Sequence, residues 1–284
     1  MVLSVAVSPQ FSNKVFSTMQ LSKWHYYARS IPLMLRGIGN WTSIPPALAT
    51  GRGRVVRLGD MTFCYRDAMD VWTIKETCLD DHYRLAGRRV RDGGVVIDIG
   101  AGLGDFAIAA ARRHPQARVL AFEPFPASAD LCRRNVRLNR TANVHVIEAA
   151  VGQGNGAIGL DISSPESVQY STASGAARQS TLQVKIQSLA EVFAEYAITR
   201  CDLLKLDCEG AEFEILLTLD RAILNQIDSI SLEYHDGVTA AGHRELEIAL
   251  ASAGFVVTRV DNPVHASLGY IHADRNIVKI ADSR

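Results

Sequence analysis

The run Val95-Val96-Ile97-Asp98-Ile99-Gly100-Ala101-Gly102-Leu103-Gly104 constrains this chain more than any other stretch. Four apolar residues and one acid lead into three glycines at alternate positions. Asp105–Arg113 continues as an alanine-rich, helix-like pattern. Together they predict a buried strand, a tight glycine turn and a helix whose free N–H groups face whatever occupies the turn. The spacing separates ligand classes. A dinucleotide fingerprint, G-x-G-x-x-G, needs glycine at position 105, where this chain has Asp105. The observed G-x-G-x-G suits a nucleoside that places no phosphate on the turn.

The 284 residues have room for one large α/β domain with an extension. With 48% hydrophobic and 21% charged residues, the composition is that of a soluble globular protein. Thirty basic and thirty acidic residues cancel, which argues against a polyanion-binding protein and so against a nucleic-acid substrate. A local basic patch stays open. Five cysteines (Cys64, Cys78, Cys132, Cys201, Cys208) are odd in number and lack metal-binding spacing, so free thiols in a reducing cytosol are expected. The apolar run at 2–7 has no preceding basic residue and no small-residue cleavage site. No stretch reaches the ~18 apolar residues of a membrane helix, and a cytoplasmic location without a membrane span is the expectation.

Residues 21–38 predict two short amphipathic helices broken at Pro32, an N-terminal extension or lid over residues 1–50. Trp24, Tyr26, Tyr27 and Trp41 are candidate walls of a pocket. Pro45-Pro46 and Gly51-Arg-Gly53 mark the boundary to a main domain at 51–284. A hairpin at 54–58 and 61–65 and a helix at 70–85 come next. The βα rhythm then starts: strands Val95–Ile99, Arg118–Phe122 and 144–148, with helices Asp105–Arg113 and 127–138, the latter with Ser128 as candidate cap. Residues 157–162 and 183–186 read as a hairpin with a mobile loop near 171–180. Strands at Leu203–Leu206 and 229–234, a helix at 239–253, and an antiparallel pair at 255–260 and 276–280 complete the sheet.

Ligands of open parallel sheets bind beyond the carboxyl ends of the strands, near the switch in strand order. Those ends carry Asp98–Gly104, Glu123-Pro124, 148–150, Asp207–Glu212 and 233–236. Glu123 can accept both hydrogen bonds of a ribose diol. Gly100 and Gly102 let the backbone approach a ligand. Ala101 and Gly104 complete that turn, and Asp98 holds it or meets the ligand through water. Ala150 offers a small surface to a flat purine. Glu212 and Glu209 lie at a helix start, where each carboxylate stabilises the N-terminus by ~0.3–1 kcal/mol.

At Leu204-Lys-Leu-Asp-Cys-Glu-Gly-Ala-Glu-Phe-Glu-Ile-Leu216 a specific resemblance emerges. The segment resembles the K-[IL]-D-x-E-G-x-E signature of the FkbM family of S-adenosylmethionine-dependent methyltransferases. Val95–Gly104, Phe122-Glu-Pro124, Ala149-Ala-Val-Gly152 and Ser231-Leu-Glu-Tyr-His235 match in order, so the likeness spans about residues 50–280. It implies a class I methyltransferase fold: an α/β, Rossmann-like, doubly wound, seven-stranded sheet with an antiparallel last strand. It also implies S-adenosylmethionine as donor and a hydroxyl acceptor on a small molecule, sugar or glycan. An alkyl hydroxyl is a very weak acid, so its methylation needs a positioned base or a metal. Asp207 and His235 are the base candidates, with neutral imidazole available near pH 7. Asp207 and Glu209, with Glu233, His235 and Asp236, could instead assemble an oxygen-rich Mg2+ site. The alternatives are N-methyl transfer, which needs no strong base, or a non-catalytic nucleoside-binding partner protein.

Overall fold

The computed structural model describes residues 9–161 and 181–275. Helix α1 (Pro9–Gly37) and α2 (Ile44–Thr50) precede a hairpin of β1 (Val55–Leu58) and β2 (Met61–Cys64). After α3 (Ala68–Cys78) come β3 (Val95–Ile99), α4 (Asp105–Arg113), β4 (Arg118–Phe122), α5 (Pro126–Asn139) and β5 (Val144–Ile147). A small sheet follows, from β6 (Ala150–Val151), β7 (Gly156–Asp161) and β8 (Thr181–Gln187). The chain continues through α6 (Leu189–Glu195), β9 (Leu203–Leu206), α7 (Ala211–Leu217), α8 (Arg221–Leu224), β10 (Ser229–His235), α9 (His243–Ser252), β11 (Val256–Asp261) and β12 (Leu268–Asp274).

Seven strands form the main sheet in the order β5-β4-β3-β9-β10-β12-β11, with β12 antiparallel to both neighbours. The other pairings, β3 with β4 and β9, β4 with β5, and β9 with β10, are parallel. This is the Rossmann-like, doubly wound α/β sheet with an antiparallel last strand that the resemblance implies. Strand order reverses between β3 and β9, so the glycine turn after β3 lies at the switch point. The period-2 pattern of β3 serves two cores. Val95, Ile97 and Ile99 join Leu204, Ile230, Phe213, Leu246 and Leu250 on one face, whereas Val96 packs with Phe106, Ala107 and Ala110 on the other.

Several local expectations are corrected. Residues 21–37 belong to one helix that runs through Pro32, and Ile38 then bridges to Leu58. A proline removes one ladder hydrogen bond, and here tertiary anchoring outweighs that loss. Ser30 Oγ and Tyr26 Oη both accept hydrogen bonds from the fully buried Lys75 ammonium, at 2.7 and 2.9 Å. Lys75 also pairs with Asp80 at 2.5 Å and lies over the Tyr26 and Trp72 rings. The helix read at 70–85 stops at Cys78, because Asp81 and Arg84 take left-handed backbone angles and the Asp81 carboxylate accepts from Leu85 N and Ala86 N. The helix read at 239–253 starts at His243, whose N–H donates to Asp236. Ser128 caps nothing: α5 starts at Pro126, and the Ser128 hydroxyl accepts from Arg66. The partner of β11 is Leu268–Asp274, with Gly269 and His272 breaking the apolar pattern that would have marked it. Residues 276–280 and the loop near 171–180 lie outside the described residues.

The hairpin is clamped to α5 by side-chain amides that imitate a neighbouring strand. Asn135 accepts from Cys64 N at 2.7 Å and donates to Cys64 O and Leu103 O. Asn139 accepts from Thr62 N at 2.8 Å and donates to Thr62 O. Both side chains are buried, so each lost bond would leave an orphaned backbone group.

Candidate active site

The glycine turn is tied down from both neighbouring strands. Gly100 N and Ala101 N donate to Phe122 O, each at 3.0 Å, and Gly104 N closes the turn on Ala101 O. Gly100 has φ +76°, and a Cβ there would lie 1.8 Å from Asp207 O. The close approach at Gly100 is therefore to the β9 backbone rather than to a ligand. Gly104 packs on Cys132 in the same way. Gly102 is different: at φ +54° its missing side chain faces open space. Only here does the glycine leave room for something the chain itself does not supply.

Glu123 borders that space. Its carboxylate accepts from Gly102 N at 2.8 Å and from Phe125 N at 2.9 Å, so both oxygens are fixed between the turn and the start of α5. Buried Pro124 sets the intervening backbone angle. Burial pushes the Glu123 carboxyl up to about 7 against the lowering effect of the two N–H groups. Ribose hydroxyls donating to the remaining lone pairs would favour the ionised form. The turn and this carboxylate thus fit a nucleoside. Ala150 is packed with Leu160 and Val184, which by itself accounts for its small size.

Asp98 receives no backbone N–H bond of good geometry, in contrast to the expectation that it holds the turn directly. It acts through Lys205. The buried Lys205 ammonium lies 3.0 Å from Asp98 Oδ1 and donates to Gly100 O at 2.7 Å. Burial would depress the Lys205 ammonium, but the charges of Asp98 and Asp207 hold it above its ordinary value. Burial likewise raises Asp98, with Lys205 opposing. Asp105, where a dinucleotide site would have glycine, is buried behind the turn and pushed up to about 6 by desolvation.

Across the cleft, Asp207 leaves β9 with its N–H donating to Ile99 O at 3.0 Å. Its Oδ2 accepts from the Tyr83 hydroxyl at 2.8 Å and lies 3.9 Å from Lys205 Nζ, and the side chain stays partly exposed. Glu209 has φ +55°, a left-handed angle that is costly without glycine and that points to a local constraint. Its carboxylate lies 3.5 Å from His235 Nε2. Glu212 does more than stabilise a helix start. Fully buried, it accepts from His235 Nδ1 at 2.9 Å, His235 N at 3.0 Å and Gly210 N at 2.9 Å.

His235 is therefore not the neutral imidazole expected. Burial alone would lower its pKa, but the Glu212 hydrogen bond and the Glu212, Asp207 and Glu209 charges push it up to about 10. At neutral pH it is an imidazolium. Asp207, Glu233 and His235 offer ligand atoms within 4.8 Å of one another, and burial among these charges raises Glu233 well above the carboxylate range. Asp236 leaves that group, because His243 Nδ1 engages it at 2.6 Å. On the neighbouring wall the Tyr270 hydroxyl lies 2.8 Å from His82 Nδ1. Sequence reasoning missed Tyr83, Tyr270 and the Glu212–His235 pair. Lys205 was a further missed signal, since a lysine inside a buried strand calls for a partner.

Comparison with known proteins agrees with this geometry. The family described as "Methyltransferase FkbM domain" matches residues 98–257, more than half of the chain. The 31-O-demethyl-FK506 methyltransferase FkbM of Streptomyces tacrolimicus is 28% identical over 240 residues, covering 74% of this chain and 88% of the relative. Methyltransferase 1 of Beauveria bassiana is 27% identical over 208 residues, 66% of this chain and 82% of the relative. A solved FkbM methyltransferase from Methylobacillus flagellatus aligns with a TM-score of 0.48 at 13% identity, over 81% of this chain and 59% of that one. With the glycine turn, the Glu123 acceptor and the Asp207–Glu212 segment converging at the switch point, the chain belongs to the FkbM family of S-adenosylmethionine-dependent methyltransferases.

Proposed function

We propose that this enzyme O-methylates a hydroxyl of a small molecule or glycan, with Asp207 as the general base. The observation that carries this reading is the lock between donor turn and base. Gly100 lies against the Asp207 carbonyl too closely for any Cβ, while Tyr83 and Lys205 orient the Asp207 carboxylate. S-adenosylmethionine supplies an electrophilic sulfonium methyl group when bound. The chain's own task is alignment and proton removal. Glu123 and the Gly102 backbone hold the nucleoside end. Asp207 accepts the acceptor's hydroxyl proton, and the Tyr83 hydroxyl bond together with the nearby Lys205 ammonium holds its carboxylate in place. The His235 imidazolium, fixed by Glu212, balances the carboxylates around the acceptor. The name of the Streptomyces relative, a 31-O-demethyl-FK506 methyltransferase, supports an oxygen acceptor.

Residues 23–50 form the acceptor-side wall in this reading. Tyr26 donates to Glu76 at 2.8 Å and stacks edge-on with Trp72, and Tyr26 and Glu76 both act electrostatically on Tyr270. Trp24 and Trp41 are exposed and are free to meet a substrate. The five thiols are unpaired, which supports a reducing, cytoplasmic setting. No helix among the described residues is long and apolar enough to cross a membrane.

The test is transfer of an isotope-labelled methyl group from S-adenosylmethionine to a panel of hydroxylated sugars and macrolides. Carbon NMR of the product then separates O-methyl from N-methyl. Asp207→Asn is expected to keep donor binding and lose transfer by ~10²–10⁴-fold. Undiminished transfer would favour an amine acceptor. A second reading rests on the Asp207, Glu233 and His235 triplet, which could hold a divalent cation such as Mg2+ once the ion displaces the protons from His235 and Glu233. There the ion would polarise the acceptor oxygen. Loss of transfer on dialysis against a chelator, with recovery on adding Mg2+, would select it.

A further inference from the structure

The zero net charge conceals a basic groove on the outer side of the hairpin–α5 seam. This open groove has a volume of about 530 Å3 and is lined by Val55, Arg57, Thr62, Arg134, Arg137 and Leu138, among others. No acidic side chain lines it. All three arginines are exposed, and among the described residues none of their guanidinium groups has an ion pair or hydrogen bond. The contrast with neighbouring arginines is informative. Arg133 is held by Asp130 and Glu148, Arg112 by Asp60, and Arg66 by Asp70. Arg134 and Arg137 are three positions apart on α5, where like charges repel unless something anionic lies between them. The frame is rigid, because Asn135 and Asn139 on the inner face of α5 clamp the β2 backbone.

We propose that this groove binds a soluble phosphate ester with an apolar body. Planar guanidinium forks recognise phosphate oxygens in bidentate fashion, and three unpaired ones in a single concavity give a site for a dianion. Val55 and the half-exposed Leu138 provide an apolar wall beside them. The groove's volume falls within the ~300–1,000 Å3 usual for small-ligand pockets, enough for a phosphate group and a small apolar body. The site is separate from the methyl-transfer cleft. α5 starts at the cleft after Glu123 and rises ~1.5 Å per residue, so Arg134 and Arg137 lie ~12 Å or more along it.

Isothermal titration of the full chain with phenyl phosphate and with inorganic pyrophosphate tests this, alongside S-adenosylmethionine as a control. Saturable binding of phenyl phosphate is expected, weakening as salt rises. Arg134→Gln and Arg137→Gln should each weaken it by roughly tenfold, the loss of one charged hydrogen bond. Donor affinity should stay unchanged in both variants. Arg134→Lys should retain part of the phosphate affinity, whereas a merely structural role would not distinguish the two replacements. Absence of saturable binding, or equal binding by the Arg→Gln variants, would overturn the proposal. So would binding only to vesicles containing phosphatidic acid, which would make the groove a membrane contact instead.

Discussion

The two halves of the cleft are built by different means. In the proposed cleft the donor half is mostly backbone: Gly100 and Ala101 donate to Phe122 O, Gly100 lies against Asp207 O, Gly104 closes on Ala101 O, and Glu123 is held by two N–H groups. The acceptor half is mostly side chain: Tyr83 on Asp207, Glu212 on His235, His82 on Tyr270. A backbone-built site tolerates little change at its glycines, whereas a side-chain-built site can be retuned residue by residue. One donor can then serve many acceptors. Lys205 bridges the halves, with Asp98 and Gly100 O on one side and Asp207 on the other.

The sharpest way to break this contrast lies within the turn. Gly100→Ala drives a methyl group into Asp207 O and should unfold the switch point, seen as a severe loss of melting temperature. Gly102→Ala meets open space, so it should cost only ~1–2 kcal/mol of left-handed strain yet abolish donor binding by calorimetry. Equal melting temperatures for the two would refute the distinction. Lys205→Met, which leaves Asp98 buried without its cation, should destabilise the fold by ~3–5 kcal/mol in denaturant titration. Lys205→Arg should recover part of that and show whether the bridge needs charge alone.

The donor half should also respond to pH. With Glu123 at about 7 in the free protein and ionised beneath a ribose, donor affinity should fall ~tenfold per pH unit below about 7 and level off above it. A flat profile from pH 5 to 8, measured by calorimetry, would remove Glu123 from the ribose role. The smallest effect belongs to the acceptor half. His235 has a folded pKa raised from about 6.5 to about 10, so its stabilising contribution is complete below about 6.5 and is lost as pH rises through about 10. Thermal melts of His235→Asn should lack that alkaline decline.

Much of the fold was legible because its signals are local. The strand, glycine turn and helix at 95–113 are specified by periodicity and by the conformational freedom of glycine. The acid at 123 stands out because a strand that ends on a carboxylate has no packing reason to do so. Pro32 misled because its cost is local while the compensation, Lys75 reaching Tyr26 and Ser30, comes from 45 or more residues away. Glu212 looked like an ordinary helix-start acid, since its partner His235 is 23 residues distant.

Sequence alone determined the sheet class, the place of the glycine turn and, through the Asp207–Glu212 segment, the family. Those features depend on short-range patterns that any chain with this order of residues must express. Tertiary structure decided which glycine faces open space, which group is charged and which side chain holds which. Gly100 and Gly102 are indistinguishable on paper and opposite in space. His235 is a neutral imidazole by its ordinary pKa and an imidazolium beside Glu212. Such outcomes depend on distance and burial between residues far apart in the chain, and only the folded packing sets those.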